Sequence, residues 1–205
     1  MASNELARVF SPLPLGKMIM SKIGQYVMEL QEKEEYMGEY EFYEDYMRRM
    51  NKEVEDNITK WDRRFMEQAE LIASWSKDPS SKIGAVIVND EKRILATGYN
   101  GFPRGISDTP ERLNSREEKY PRIIHAEMNA LMNALYNGVA VKDATLYVYG
   151  LPICPSCTKC IIQAGIKRVV IPSTKTDKGN WQEIWEEQSS LMFKESGVQI
   201  TLLEV

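Results

Sequence analysis

Short β-like runs alternate with helical segments between residues 61 and 205, and this alternation restricts the fold more than any other feature of the sequence. Runs rich in β-branched and aromatic residues predict strands at residues 82–88, 93–99, 144–150, 167–172 and 198–205. Apolar residues at helical spacing predict helices at residues 61–77, 125–138, 155–165 and 180–197. This order predicts an α/β fold in which helices cover the faces of one sheet.

The first 59 residues differ in charge from the rest of the chain. They contain 12 acidic and 7 basic residues, whereas residues 60–205 contain 18 acidic and 19 basic residues. Apolar side chains recur on one predicted helical face, at Tyr36, Tyr40, Tyr43, Met47, Met50 and Val54. We therefore divide the chain into an acidic helical extension, residues 1–59, and a second domain, residues 60–205. The stripe can lie on its own domain or form a contact between subunits, and the sequence leaves both open.

Charge and cysteine content exclude several classes of protein. The net charge is −4 and the pI is about 5.3, which disfavours a stable complex with nucleic acid. No run approaches the roughly 18 apolar residues of a membrane span, and the first 16 residues lack the pattern of a secretion signal. The three cysteines lie within seven residues. They make a poor disulfide framework, so we expect a protein of the reducing cytoplasm. Because the sequence predicts no membrane span, we expect no membrane partner.

The only histidine of the chain, His125, stands two residues before Glu127 at the predicted start of a helix. A Cys-x-x-Cys pair, Cys154 and Cys157, starts the next predicted helix, where exposed N–H groups stabilise thiolates. Such a pair alone is typical of redox dithiols and of structural zinc sites. One imidazole and two thiolates together can bind Zn²⁺ and leave a fourth position for water, which is the pattern of a catalytic site. Glu127 then fits a base beside the ligands.

The sequence resembles a known family at these residues. "HAEMNA" at residues 125–130 and "CPSC" at residues 154–157 are similar to the signature of the zinc-dependent cytidine and deoxycytidylate deaminases. "GYNGFPRG", "KYPRIIHAEMNALMNAL" and "IIQAGIKRVV" narrow the resemblance to the deoxycytidylate (dCMP) deaminases, including those of viruses and phages. The resemblance implies that residues 60–205 form a deoxycytidylate deaminase domain, a three-layer α-β-α sandwich around a mixed five-stranded sheet. It also implies hydrolysis of dCMP to dUMP and ammonia, which supplies the precursor of dTMP.

The resemblance assigns roles to the residues of the two motifs. His125, Cys154 and Cys157 would hold one catalytic Zn²⁺ ion per chain. Glu127 would take a proton from water and pass protons to N3 of the cytosine ring and to the departing amine. A lone histidine is more often a packed or solvated residue, and here the need for one nitrogen ligand explains it.

The resemblance also implies positions for the nucleotide and for an effector. Asn100 would hold the sugar, although an Asn-Gly pair is also typical of a turn. Lys82 would contact the phosphate, or would remain a solvated lysine. A dCTP or dTTP effector, bound with Mg²⁺, would contact the loop of Gly98, Tyr99, Asn100 and Gly101. The family further implies a homo-oligomer, a hexamer or a dimer, in the cytoplasm, or in the host cytoplasm for a viral protein.

Two alternatives remain open at the level of the sequence. The enzyme could act on another cytosine compound, such as cytidine, dCTP or a base in RNA. The chain could instead be a binding module in which Cys160 joins the three ligands and closes a structural zinc site.

The sequence also departs from the family in two places. Ile153 stands where a proline usually precedes the first cysteine, and "TKTDKGNW" at residues 174–181 replaces the usual aspartate-lysine-tyrosine stretch.

Overall fold

The computed structural model describes residues 59–174 and 176–205 of the chain. The predicted extension, residues 1–59, lies outside these residues except for Thr59, and so does its stripe of tyrosines, methionines and valine. The division of the chain at this point therefore stays a prediction. In the described part of the chain, no helix is both long and apolar enough to span a membrane.

Five strands and seven α-helices follow one another in the described residues. The strands are β1 (Gly84–Val88), β2 (Ile94–Tyr99), β3 (Thr145–Tyr149), β4 (Arg168–Pro172) and β5 (Gln199–Leu203). The helices are α1 (Lys60–Ser74), α2 (Pro110–Asn114), α3 (Arg116–Lys119), α4 (Ala126–Tyr136), α5 (Pro155–Gln163), α6 (Trp181–Ile184) and α7 (Ser190–Ser196), with a π-helical turn at Trp185–Ser189. The predicted strands and helices are confirmed, although the π-helical turn interrupts the last helix. The two short helices α2 and α3 do not follow from the apolar pattern.

The strands form one mixed sheet in the order β2-β1-β3-β4-β5, as the resemblance implies. β1 runs antiparallel to β2 and β3, whereas β3, β4 and β5 are parallel to one another. Parallel neighbours need crossover connections, which α5 supplies after β3 and which α6 and α7 supply after β4. As a result, the loops before β1 and after β3 and β4 meet at one end of the sheet, where Gly84 pairs with Tyr149.

Helices cover both faces of this sheet. On one face, α1 packs on the strands through Phe65, Met66, Ala69 and Ile72. It approaches β1 so closely that a Cβ atom at Gly84 would overlap the α1 backbone. On the other face, α4, α5 and α7 bury Ala126, Ala130, Leu131, Ile161 and Phe193. The protein is therefore a three-layer α-β-α sandwich, and that prediction is confirmed.

The edge strand β2 is held against α4 by two asparagine side chains. Asn129 Nδ2 donates a hydrogen bond to the carbonyl oxygen of Tyr99 over 2.7 Å. Asn133 Nδ2 donates one to the carbonyl oxygen of Thr97 over 2.8 Å. These bonds fix α4 along the edge of the sheet, so that the start of the helix has a defined position.

The carboxylate of Asp62, in the first turn of α1, links three elements of the fold. It accepts hydrogen bonds from the Thr59 backbone N–H (2.8 Å), the Tyr147 hydroxyl (2.7 Å) and the Arg168 guanidinium (2.9 Å). Arg168 also donates to Thr201 on β5. Burial by itself raises the pKa of Asp62, but the hydrogen bonds from Arg168, Thr59 and Tyr147 outweigh it, so the pKa is lowered.

This network predicts a loss of stability in acid. Because the pKa of Asp62 is lower in the folded protein than in the unfolded chain, its stabilisation is full above about pH 4 and is lost as the pH falls through the folded pKa. Asp62→Asn should lower the free energy of unfolding at pH 7 by about 2–3 kcal/mol, which is less than for a fully buried pair because the Arg168 side chain is 17% exposed. Urea denaturation between pH 3 and pH 7 measures both effects.

Asp90→Asn is the control, because Asp90 forms an ion pair with Lys167 at the protein surface. It should leave the free energy of unfolding nearly unchanged. An Asp62→Asn protein that loses as much stability between pH 5 and pH 3 as the wild type would show that another group causes the acid sensitivity.

Candidate metal centre and active site

His125 is held at the start of α4 by pairing on its N-terminal side. The preceding residue, Ile124, exchanges two backbone hydrogen bonds with Gly101, of 2.9 and 3.1 Å. Gly98 on β2 lets α4 approach, because a Cβ atom there would overlap the backbone of Ala126 and Ala130. The imidazole is therefore placed by the contact between the edge strand and the helix.

The two cysteines lie at the start of α5. Cys154 is the N-cap residue, and its sulfur accepts a hydrogen bond from the backbone N–H of Cys157 over 3.4 Å. The Thr158 hydroxyl donates to the carbonyl oxygen of Cys154 over 3.0 Å. Ile153, which replaces the proline usual in the family, is fully buried in the core. The helix start thus fixes both sulfur atoms.

The imidazole and the two thiols converge to one point. Nδ1 of His125 lies 3.3 Å from Sγ of Cys154 and 3.5 Å from Sγ of Cys157. All three potential ligand atoms lie within 4.8 Å of one another. A tetrahedral zinc site with Zn–N near 2.0–2.1 Å and Zn–S near 2.3 Å separates nitrogen from sulfur by roughly 3.6 Å. The donor set and its spacing therefore fit Zn²⁺.

The electrostatics of the cluster also favour a cation. The hydrogen bond with the Cys157 thiol, and after it the one with His125, lowers the pKa of the Cys154 thiol to about 4 despite its burial. The same hydrogen bond to Cys154, together with burial, raises the pKa of Cys157. The two thiols thus oppose each other's ionisation when no positive charge lies between them. A divalent cation bound by both removes this conflict.

Glu127 lies in the first turn of α4 and is only 3% exposed. Burial raises the pKa of its carboxyl to about 7, against the opposing effect of the His125 charge. The carboxyl does not belong to the three-residue cluster. A buried carboxyl with a pKa near neutrality, beside potential metal ligands, has the properties of a general acid and base.

Cys160 is half-buried, one helical turn beyond Cys157. In the part of the chain that the structure describes, the only group of at least three potential metal ligands comprises His125, Cys154 and Cys157. Cys160 therefore does not complete a four-ligand site among the described residues. The geometry favours a site with an open fourth position over the closed structural alternative.

Asn100, predicted to hold the sugar, is engaged in a network within the protein. Its Oδ1 accepts a hydrogen bond from the Ile83 N–H (2.8 Å), and its Nδ2 donates to the Ser81 carbonyl oxygen (2.9 Å). It is only 5% exposed. In the structure, Asn100 therefore orders the loop before β1, and a contact with the sugar stays a prediction.

A buried ion pair that the sequence does not reveal lies beside this loop. Lys119 Nζ is 3.1 Å from Asp78 Oδ1 and 3.0 Å from Ser80 Oγ. The two charged side chains are 8% and 6% exposed. They join α3 to the loop before β1 across 41 residues of sequence, and no local pattern signals such a distant pair.

The remaining predicted site residues lie in the loop before β1 and at the end of β2. Lys82 is exposed, and its ammonium group makes one long contact, 3.4 Å, with the Ser74 carbonyl oxygen. In the predicted effector loop, the ring of Tyr99 packs edge-on against Trp75, while Gly101 pairs with Ile124. Trp181 was not predicted for the site, yet its ring centroid is 6.0 Å from that of His125. In the sequence, residues 174–181 differ from the family pattern, and this difference is the feature that could have drawn attention to Trp181.

Comparison with known proteins identifies a family. The family model described as the cytidine and deoxycytidylate deaminase zinc-binding region matches residues 59–173. An uncharacterised deaminase from the luxG 3′ region of Aliivibrio fischeri is 40% identical over 149 residues, covering 71% of this chain and 95% of the relative. The deoxycytidylate deaminase of Mus musculus is 48% identical over 125 residues, covering 58% of this chain and 68% of the relative.

A solved structure is also similar. The crystal structure of a dCMP deaminase from the cyanophage S-TIM5 in its apo form superimposes with a TM-score of 0.54. It is 27% identical in sequence, and the match covers 71% of this chain and 99% of that protein. The family match spans more than half of the chain and includes every residue of the metal cluster. The chain therefore belongs to the cytidine and deoxycytidylate deaminase family.

Proposed function

We propose that this protein catalyses the zinc-dependent hydrolytic deamination of dCMP to dUMP and ammonia. The observation that carries the proposal is the buried Glu127 carboxyl beside the cluster of His125, Cys154 and Cys157. The choice of dCMP is supported by the mouse relative, which is named a deoxycytidylate deaminase. The matching cyanophage structure, that of a dCMP deaminase, supports the same choice.

His125, Cys154 and Cys157 would hold the zinc ion, one per chain, through Nδ1 and the two sulfur atoms. When bound, Zn²⁺ supplies a Lewis acid that makes water more acidic near neutral pH. The backbone N–H of Cys157 keeps Sγ of Cys154 in place through its hydrogen bond. The rigid starts of α4 and α5 thereby orient the three donors before the metal binds.

Glu127 would transfer the protons of the reaction. A water molecule adds its oxygen to C4 of the base, and its two protons leave in turn through the Glu127 carboxyl. The first proton goes to N3, and the second goes to the 4-amino group, which departs as ammonia. A pKa near 7 suits this exchange, because the carboxyl can then both accept and return a proton at neutral pH.

Three finer assignments belong to the proposal. The protein would assemble as a homo-oligomer, and the exposed apolar side chains of Met132, Leu135 and Tyr136 on α4 support a contact with a second subunit. Asn100 would hold the sugar and Lys82 the phosphate. It stays a prediction that a dCTP or dTTP effector binds with Mg²⁺ and that the oligomer is a hexamer or a dimer. The role of the N-terminal extension is likewise left as a prediction.

Replacing the carboxyl of Glu127 tests its role. Glu127→Gln keeps the shape of the side chain but cannot exchange protons, so kcat should fall by about 10²-fold or more while the zinc content stays at one ion per chain. Ammonia release and metal analysis measure the two quantities. Glu117→Gln, on the exposed face of α3, is the matched control and should keep wild-type turnover. Near-normal turnover of Glu127→Gln would exclude this carboxyl as the proton carrier.

A panel of cytosine compounds tests the substrate. Ammonia release should give the highest kcat/KM with dCMP, and lower values with CMP, deoxycytidine and dCTP. A binding module would release ammonia from none of them. A preference for deoxycytidine or CMP would keep the deaminase assignment but overturn the choice of dCMP.

The cysteines separate an open zinc site from a closed one. Cys160→Ala should keep the zinc ion and most of the activity, and should cost about 1–2 kcal/mol of stability as a half-buried truncation. Cys157→Ala should lose both the zinc ion and the deamination, because it removes a ligand. Zinc content after dialysis, together with turnover, measures the outcome. Equal zinc loss from both variants would indicate that Cys160 is a ligand and that the site is structural.

A further inference from the structure

The buried ion pair of Asp78 and Lys119 belongs to a ring of hydrogen bonds around residues 120–124, the segment that leads into α4. The proposed proton transfers at Glu127 do not use this pair. Two charges cost free energy when they leave water, even as partners, so a buried ion pair is weak evidence for a role in stability alone. The place of the pair in the fold indicates a positioning role.

Lys119 holds the loop before β1 through two contacts. Its Nζ lies 3.1 Å from Asp78 Oδ1 and 3.0 Å from Ser80 Oγ. Asp78 Oδ1 in turn accepts hydrogen bonds from the backbone N–H groups of Ser80 (2.8 Å) and Ser81 (3.3 Å). The carboxylate therefore shapes this loop, and the ammonium group fixes the shaped loop to α3.

The same loop is tied to Asn100, the residue after β2. The Ser76 hydroxyl donates to the carbonyl oxygen of Asn100 over 2.8 Å and accepts from the N–H of Asp78 over 3.2 Å. The backbone N–H of Asn100 donates to the carbonyl oxygen of Ile83 over 3.2 Å. Ser76 and Asn100 are only 2% and 5% exposed. The loop and the end of β2 therefore form one connected unit.

The ring closes on the segment that precedes α4. Gly101, two residues after β2, exchanges two backbone hydrogen bonds with Ile124. At the other end of the segment, the carbonyl oxygen of Lys119 accepts hydrogen bonds from the N–H groups of Arg122 (2.9 Å) and Ile123 (2.8 Å). The segment is thus anchored at both ends, by Gly101 and by Lys119.

We propose that Lys119 is a positioning residue for the metal ligand His125, and that it acts through Asp78. Because α4 begins directly after the anchored segment, the Lys119 side chain fixes the place of the imidazole relative to Cys154 and Cys157 before the metal binds. A donor that is already in place loses less freedom on binding than a mobile one. The inference rests on the proposed function, because it concerns the same zinc site.

Zinc affinity tests the proposal without relying on turnover. The full-length, zinc-loaded protein is titrated with a chromophoric chelator of known zinc affinity. Lys119→Met should raise the zinc dissociation constant by about 10-fold or more, the usual effect of losing a group that orients a metal ligand. Lys119→Arg keeps a positive charge beside Asp78 and should recover most of the affinity.

A double variant keeps the test decisive if Lys119→Met fails to fold. The single change leaves the Asp78 carboxylate buried without its partner, which destabilises the protein. Asp78→Asn combined with Lys119→Met removes both charges and still breaks the link between α3 and the loop. It should weaken zinc binding by about 10-fold as well. Wild-type zinc affinity in the double variant would overturn the proposal.

Two control variants separate positioning from general effects. Lys77→Met removes a neighbouring lysine whose ion pair with Asp108 is exposed. Asp62→Asn lowers stability from α1, which packs on the opposite face of the sheet from α4 and α5. Both should keep the wild-type zinc affinity. Equal weakening by Asp62→Asn and Lys119→Met would mean that zinc affinity follows overall stability, and would overturn the proposal.

The wild-type protein separates this inference from the proposed function. If it binds zinc but releases no ammonia from any cytosine compound, the proposed function fails, and the zinc affinities of the variants still decide the role of Lys119. If it deaminates dCMP while Lys119→Met binds zinc as tightly as the wild type, the proposed function stands and the inference fails. A protein that binds no zinc overturns both.

Discussion

The contact between the sheet and the starts of two helices determines the rest of this structure. α4 begins after the edge strand and α5 begins after β3, so their first residues arrive at neighbouring points of the sheet. His125 and Cys154 are both N-cap residues, where the chain is extended and the side chain lies at the open end of the helix. The positions of the three potential metal ligands thus depend on strand order and helix packing.

The same arrangement brings together ionisable groups whose charges oppose one another, and a bound cation would relieve this opposition. Two thiols, an imidazole and a buried carboxyl lie together with little access to solvent. In water each group would ionise independently, but here each charge changes the pKa of its neighbours. The core around the cysteines is well packed, with Ile153 and Ile161 fully buried. This packing holds the two cysteines in position.

The sequence spacing predicts the cluster of His125, Cys154 and Cys157 and the strands, whereas contacts between distant residues could not be predicted from it. His125 with Glu127, and Cys154 with Cys157, are each separated by two or three positions, and the chemistry of each pair is visible in the sequence. The ion pair of Asp78 and Lys119 joins residues 41 apart and leaves no periodic signal. Asn100 shows a further limit, because its sequence context suggests a turn or a sugar contact and does not reveal the hydrogen bonds that its amide makes with Ile83 and Ser81. The short helix α2 was within reach of sequence reasoning, since Thr109 and Pro110 form a typical helix start.

The asparagine side chains that join α4 to β2 have a consequence for association. An edge strand with free carbonyl groups can accept a strand from another molecule, which leads to continuous sheets between subunits or to aggregation. Here the carbonyl oxygens of Thr97 and Tyr99 already accept hydrogen bonds from Asn133 and Asn129. An incoming strand would have to displace these amides before it could pair. At these two positions of β2, strand addition is therefore disfavoured.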